Sequence, residues 1–330
     1  MNLSRRGAIG VLTGLLPWPA LAQAPLIPGT LAVSSSTLAY GGLHIAVQAG
    51  LFARNGLQPK IIVMDSGNAA ITAVLAGSAA FSGAGPGEVL AARVRGQNML
   101  ILVNLYRGLS GSLILSKAVA AKLGDAAQGS IDQRVRALDG LTIAEPSATS
   151  AYLHPFRSAA ETQHASIHFV YMTQPAMVAA LQAGAIQGMV AGAPFSQAAV
   201  ANGSGVLWIS GPKAELPAAV LPTSSACLQT SAAYAAAHPD IVNRLRAVFA
   251  ALDVLIHQHP ADARAALAKS YPQLDAATID DVFQADAPNW TQPVFTVADI
   301  RQEIAIQKSS GALQGVDRID PAAVLLAWPA

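Results

Sequence analysis

The stretch from Gly41 to Asn98 admits few folds, because helical and strand periods of apolar residues alternate in it over short distances. Leu43, Ala46, Val47, Gly50 and Leu51 share one helical face between Leu43 and Phe52, and Asn55-Gly56 ends that helix. Pro59 to Met64 reads as a strand and Asp65-Ser66-Gly67-Asn68 as a polar turn. Ile71, Val74 and Leu75 then restart a helix that Gly77 closes. Ala79 to Ser82 reads as a second short strand, and Gly83-Ala84-Gly85-Pro86-Gly87 opens another helix. Helix N-termini with unpaired backbone N–H groups thus recur just beyond strand ends, where an open α/β sheet takes its ligands. Ser66, Asn68 and Gly85 are the candidate contacts here.

The order Ala49-Gly50-Leu51-Phe52, Asn55-Gly56-Leu57, strand, Gly67 turn, Leu75-Ala76-Gly77-Ser78 and Phe81-Ser82-Gly83-Ala84-Gly85 resembles the N-terminal lobe of periplasmic substrate-binding proteins of ABC importers. The similar branch is the one that handles nitrate, sulfonates, taurine and thiamine precursors. Ala80 stands where that family often has an acidic residue. The resemblance implies a type II periplasmic binding protein, α/β and two-lobed, each lobe a mixed open sheet flanked by helices, with a ligand cleft between the lobes. It implies residues 25–107 plus 212–330 for the first lobe, helical tail included, and 108–211 for the second.

A chain of 330 residues is long enough for two such lobes. Only 12% of its residues are charged and 52% are hydrophobic, yet no internal run reaches the roughly 18 uninterrupted apolar residues of a membrane span. Ser4-Arg5-Arg6, an apolar run from Gly7 to Leu16 and the small residues Ala20-Leu21-Ala22-Gln23-Ala24 read as a cleaved export signal over 1–24. The twin arginines suggest the Tat route, with Sec as the alternative. Removing them takes the formal net charge from +1 to −1, which gives nucleic acid no basic footprint. Cys227 is the single cysteine, so no intrachain disulfide forms and a buried structural thiol is expected.

Gly29 to Ser34 reads as the first strand, followed by a hydroxyl-rich loop from Ser35 to Gly42. Ser35, Ser36 and Tyr40 either contact a ligand or serve the helix that follows. Met99 to Leu105 is a strand, Tyr106 to Gly111 a crossing between lobes, and Leu113 to Ser116 a strand again. Arg107 at the crossing could hold an anion by paired hydrogen bonds or act structurally. Lys117 to Arg136 reads as surface helix and loop. Leu138-Asp139-Gly140-Leu141-Thr142-Ile143-Ala144 resembles the start of the family's second sheet, and Glu145-Pro146-Ser147-Ala148-Thr149-Ser150 precedes a helix. Ser147, Thr149 and Ser150 either cap that helix or bind an oxygen at its N-terminus, whereas Glu145 would repel an anion and welcome an amine or hydroxyl.

Ile167 to Tyr171 is a strand, and Gln174 opens a helix through Gly184. Gln174 and Gly192 complete the candidate contacts. Gly188 and Ala193-Pro194-Phe195 replace an aspartate and a glutamate-proline common in the family. Leu75 to Phe81 and Leu181 to Gln187 echo each other, which suggests two similarly built lobes. Val206 to Ile209 reads as a strand, Leu216 to Leu228 as the return crossing, and Ile241–Ile256, Ala261–Ser270, Ala276–Phe283 and Val297–Ser310 as tail helices. Family resemblance packs this tail mainly on the first lobe.

Chemistry is sparsely encoded. His257 and His259 diverge at a helix end and make no metal site. Gly83 to Glu88 misses the last glycine of a dinucleotide fingerprint and the lysine of a phosphate loop. No G-x-S-x-G occurs. The expectation is a non-enzymatic, monomeric periplasmic receptor without cofactor or metal. It would close on a small polar organic molecule, a sulfonate, carboxylate or heteroaromatic precursor, and deliver it to an ABC permease with its ATPase subunits. An enzyme of the same fold acting on a pyrimidine-like substrate, or a ligand-sensing subunit, are the alternatives.

Overall fold

The expected alternation builds two sheets of five strands, each with helices on both faces. The computed structural model describes residues 25–148, 150–311, 313–326 and 328. The expected export signal and the candidate Thr149 lie outside the described residues. In the first sheet, β1 (Ile27–Val33) lies between β2 (Leu57–Val63) and β3 (Phe81–Ala84), parallel to both. β4 (Met99–Arg107) forms the far edge. In the second, β6 (Thr142–Glu145) lies between β7 (His168–Tyr171) and β8 (Gly188–Gly192), again parallel to both, with β5 (Gly111–Ser116) and β9 (Gly205–Ile209) beyond. β5 runs antiparallel between β8 and β9. β10 (Ser224–Ser231) does the same between β3 and β4.

The two sheets therefore share one winding, and each receives its antiparallel strand directly after the chain has crossed from the other. The sequence echo marks this equivalence. Helices Gly67–Leu75 and Gln174–Gln182 each end on a glycine in the left-handed region, Gly77 (φ +74°) and Gly184 (φ +72°), before β3 and β8. Gly188 replaces the family's aspartate for a packing reason: a Cβ there would lie 2.6 Å from Ile143 Cδ1 and 2.9 Å from Leu115 Cδ2.

Several boundaries differ from expectation: β1 and β2 each start two residues early and end one early, and β4 runs on through Tyr106 and Arg107, which were expected in the crossing. The helix expected over Leu43–Phe52 is two helices, Gly41–Gln48 and Leu51–Arg54, parted by Gly50 at φ +70°. β3 starts two residues after Ala79, because the Ser78 and Ala79 N–H groups still bond Ala73 O of the preceding helix. The return crossing ends at Thr223, since Ser224 is already paired with Arg107 in the first sheet. Small residues on both faces of β10 conceal its period in the sequence.

One face of the first sheet buries Leu31, Val33, Leu102 and Leu105 against helices Gly41–Gln48, Pro239–Gln258, Pro260–Ser270 and Ala276–Asp286. The other face packs Ala32, Met99 and Ile101 against helices Gly67–Leu75, Pro86–Val94 and Val297–Ser309. The helical tail thus belongs to the core of the first sheet. Among the described residues, no helix is long and apolar enough to cross a membrane.

Candidate ligand cleft

The loops that follow the parallel strands of both sheets gather in one place. A cavity of about 300 Å³ lies beyond the carboxyl ends of β1, β2 and β3 on one side and β6 and β7 on the other. The first sheet contributes Ser34 to Thr37, Ala39 and Tyr40 of one loop, the turn Val63 to Gly67, Gly85, Glu88 and Ser225; the second contributes Pro146, Ser147, Ser150, Ala151, Tyr152, Thr173 to Pro175 and Phe195.

Eight of the candidate contacts line this cavity: Ser35, Ser36, Tyr40, Ser66, Gly85, Ser147, Ser150 and Gln174. Several spend their polar atoms on the protein. The Tyr40 hydroxyl donates to Gly83 O at 2.8 Å and bonds Ser34 Oγ at 2.7 Å, so only its ring wall faces a guest. Ser35 Oγ bonds Thr37 Oγ1 at 2.9 Å, Ser66 Oγ caps the helix Gly67–Leu75 by accepting from the Ala69 N–H, and Ser150 Oγ accepts from the Tyr152 N–H at 3.1 Å. Gln174 Oε1 accepts from the Gly192 N–H at 2.9 Å, which directs the amide and leaves two Nε2 donors with no protein partner among the described residues.

Four described candidates lie off the lining. Asn68 sits in the first helical turn, where its carbonyl accepts from the Thr72 hydroxyl. Gly192 serves behind Gln174. Arg107 is fastened to the tail: it pairs with Asp299 at 2.8 Å, donates to Val294 O at 3.0 Å and lies over the Phe295 ring. Glu145 is fully buried behind Pro146, with neither carboxyl oxygen hydrogen-bonded among the described residues. Burial pushes its pKa well up, and the Arg157 charge pulls only partly back.

Sequence reasoning passed over Glu88, which is 6% exposed and forms part of the cavity wall. Its carboxyl explains two glycines of the stretch from Gly41 to Asn98, Gly67 and Gly85. A Cβ at Gly67 would lie 2.7 Å from Oε1, and one at Gly85 would lie 2.7 Å from Oε2. Burial raises its pKa to about 8, backbone hydrogen bonds at Glu88 and Gly85 pull it down, and the Glu303 charge adds to the rise. An acid in the first turn after a glycine turn was the available signal; its burial was not visible. Asp65, Thr37, Tyr152, Phe195 and Ser225 were passed over too.

The walls meet closely at the rim. Leu38 N–H donates to Ala193 O at 2.7 Å. A Cβ at Gly192 would lie 3.3 Å from Thr37 Cβ on the opposite wall, besides lying 2.8 Å from Tyr152 Oη on its own. Gly192→Ala is therefore expected to wedge the lobes and weaken binding of any stabilising ligand by about tenfold. Titration calorimetry on both proteins checks this, and equal affinities would refute the wedge.

At the crossings, Ser225 Oγ donates to Gly108 O at 2.7 Å and accepts from the Ser110 N–H at 2.8 Å, while Gly108 N–H donates to Thr223 O at 3.0 Å. Tail acids grip the same place. Glu303 accepts from the Thr223 N–H and hydroxyl at 2.8 and 2.7 Å, and Asp286 accepts from the Tyr106 hydroxyl. Cys227 is buried, donates to Ala84 O, and has its thiol pushed far up by burial, so it offers no nucleophile. Among the described residues, no group of histidine, cysteine and acidic side chains could hold a metal ion.

Two identically wound mixed sheets with a cavity between their carboxyl edges define the class of two-lobed periplasmic binding proteins. The chain belongs to the NMT1-like family, whose model matches residues 32–271. No curated protein sequence matches it. Among solved structures it is similar to the alkanesulfonate-binding protein SsuA from Xanthomonas axonopodis pv. citri bound to MOPS, at 18% identity and TM-score 0.70, over 92% of this chain and 99% of that one. It is also similar to the periplasmic nitrate-binding protein NrtA from Synechocystis PCC 6803, at 12% identity and TM-score 0.63, over 90% and 87%. The Candida albicans CA3427 gene product matches at 13% identity and TM-score 0.65, over 92% and 96%. At these identities the likeness is one of fold.

Proposed function

We propose that the protein is the solute-binding receptor of an ABC-type importer. It would be exported to the periplasm, close its lobes on one small polar organic molecule, and present the closed form to a membrane permease with its ATPase subunits. The observation that carries this reading is the cavity itself, walled by loops of both sheets and bridged by two crossings. In this reading residues 25–107 with 212–330 move as one lobe and 108–211 as the other, and the receptor acts as a monomer. Ser36, Ser147, Ser150 and the Gln174 amide orient the guest, whose burial supplies the affinity.

A thermal-shift screen of sulfonates, carboxylates, amines and pyrimidines tests the reading. A binder at one hundred times its Kd should stabilise the chain by about 2.7 kcal/mol. Deletion of the gene should abolish uptake of that compound. Turnover of the stabilising compound by the purified protein, with uptake intact in the deletion strain, would refute the receptor role.

A further inference from the structure

The cavity wall carries a charge pattern that narrows the guest. Its ionisable side chains of ordinary pKa below 8 are Asp65, which is exposed, and Glu88, which is buried. Among the described residues, no lysine, arginine or histidine lines it. Two arginines of the surrounding elements are engaged away from the lining, Arg107 with Asp299 and Arg157 over the Phe169 ring face. Around Glu88 stand Asp65 from the turn after β2, Tyr40 from the loop after β1, Cys227 from β10 and Glu303 from the helix Val297–Ser309. Ionisation of any of them adds negative charge.

Helix N-termini at the cleft would ordinarily favour an anion. Here that position is taken. The helix Pro86–Val94 has no side-chain cap from Gly85, and the Glu88 carboxyl folds over its first turn into the space that Gly67 and Gly85 leave open. One of its oxygens, Oε2, has no hydrogen-bond partner among the described residues. Backbone N–H groups at Glu88 and Gly85 favour the ionised carboxyl, yet Oε2 makes no hydrogen bond with the described residues, and a buried acid with an unused oxygen takes a donor when one is offered. The glycines are thus shaped to an internal carboxyl.

Resting on the receptor reading, we infer that the cleft selects a guest bearing an ammonium or amidinium group, which pairs with the Glu88 carboxyl, and rejects sulfonates and carboxylates. Glu88 is the specificity-determining residue, Asp65 adds a weaker field at the mouth, and the Gln174 amide donates to an oxygen at the guest's other end. In the empty protein, burial keeps the Glu88 proton; contact with a cation lets the carboxyl ionise and sends that proton to solvent.

The test uses the chain from residue 25 onward and probes matched in shape but differing in charge: 2-phenylethylammonium, 3-phenylpropanamide and 2-phenylethanesulfonate, with butylammonium, pentanamide and butanesulfonate as the smaller set. Thermal shift and calorimetry should show the ammonium member of a set bound and its sulfonate partner not. Glu88→Gln should weaken ammonium binding by roughly thirtyfold, and Asp65→Asn by about threefold. The Asp65 variant, at an exposed position, keeps the test available should the Glu88 variant not fold. Preference for the sulfonate, or equal binding of amide and ammonium, would overturn the inference while leaving the receptor role standing. Stabilisation by none of the probes, nor by a concentrated metabolite extract, would overturn both.

Discussion

Raising the pH from 5 to 8 is expected to lower the thermal midpoint of the unliganded protein by several degrees. Glu88 has its pKa raised to about 8, and Asp286 and Glu303 to about 7, in each case first by burial. Hydrogen bonds from Tyr106 to Asp286 and from Thr223 to Glu303 only partly offset that cost. Each group therefore binds its proton more tightly folded than unfolded. Their stabilising contribution is complete below the unfolded carboxylate range near 4 and is lost as the pH rises through 7 to 8, by up to about 1.4 kcal/mol per group and pH unit. Glu145, pushed up in the same direction, adds to the trend. Scanning calorimetry at fixed ionic strength decides this. A midpoint constant or rising from pH 5 to 8 would refute it, and Asp286→Asn should flatten the slope.

Trp290→Ala should lower unfolding stability by about 3–5 kcal/mol, the largest single-site loss expected. The indole is 2% exposed, lies against Gly41 and Gly42, meets Phe283 edge-on with centroids 6.1 Å apart, and donates Nε1–H to Leu38 O at 2.9 Å. It ties the tail to the loop that lines the cleft. Because Leu38 also bonds Ala193 across the rim, ligand affinity should fall alongside stability. Trp290→Phe keeps most of the packing and loses the N–H, so its binding defect should exceed its stability defect in proportion. Urea unfolding measures the first and calorimetry the second; a loss below about 1 kcal/mol for the alanine variant would refute the packing role.

The elements of both sheets were legible because small-residue turns punctuate them and the third-strand approach repeats at Gly77 and Gly184. β10 was not, since Ser224 to Ser231 is buried along nearly its whole length and carries no alternation. The candidate cleft was legible as loops. Ser36 and Gln174 stand at strand ends, and position alone places them. Which polar atoms remain available was not legible, because it depends on distant partners: Gly83 for the Tyr40 hydroxyl, Asp299 for Arg107, Gly192 for the Gln174 amide. Glu88 escaped notice for the same reason. Its burial is produced by Gly67 and Gly85, twenty-one and three residues upstream, and by a tail helix more than two hundred residues downstream.

Ser225 bonds both sides of the outgoing crossing from the returning one, and Gly108 bonds Thr223 beside it. Two strands joined in this way cannot slide independently; they flex together as a narrow ribbon. Relative motion of the lobes is thereby reduced to bending and twisting about a single line. In the proposed receptor, occupancy of the cleft would read out as a bend and a twist about that line, the kind of signal a docking partner could sense from outside without touching the guest.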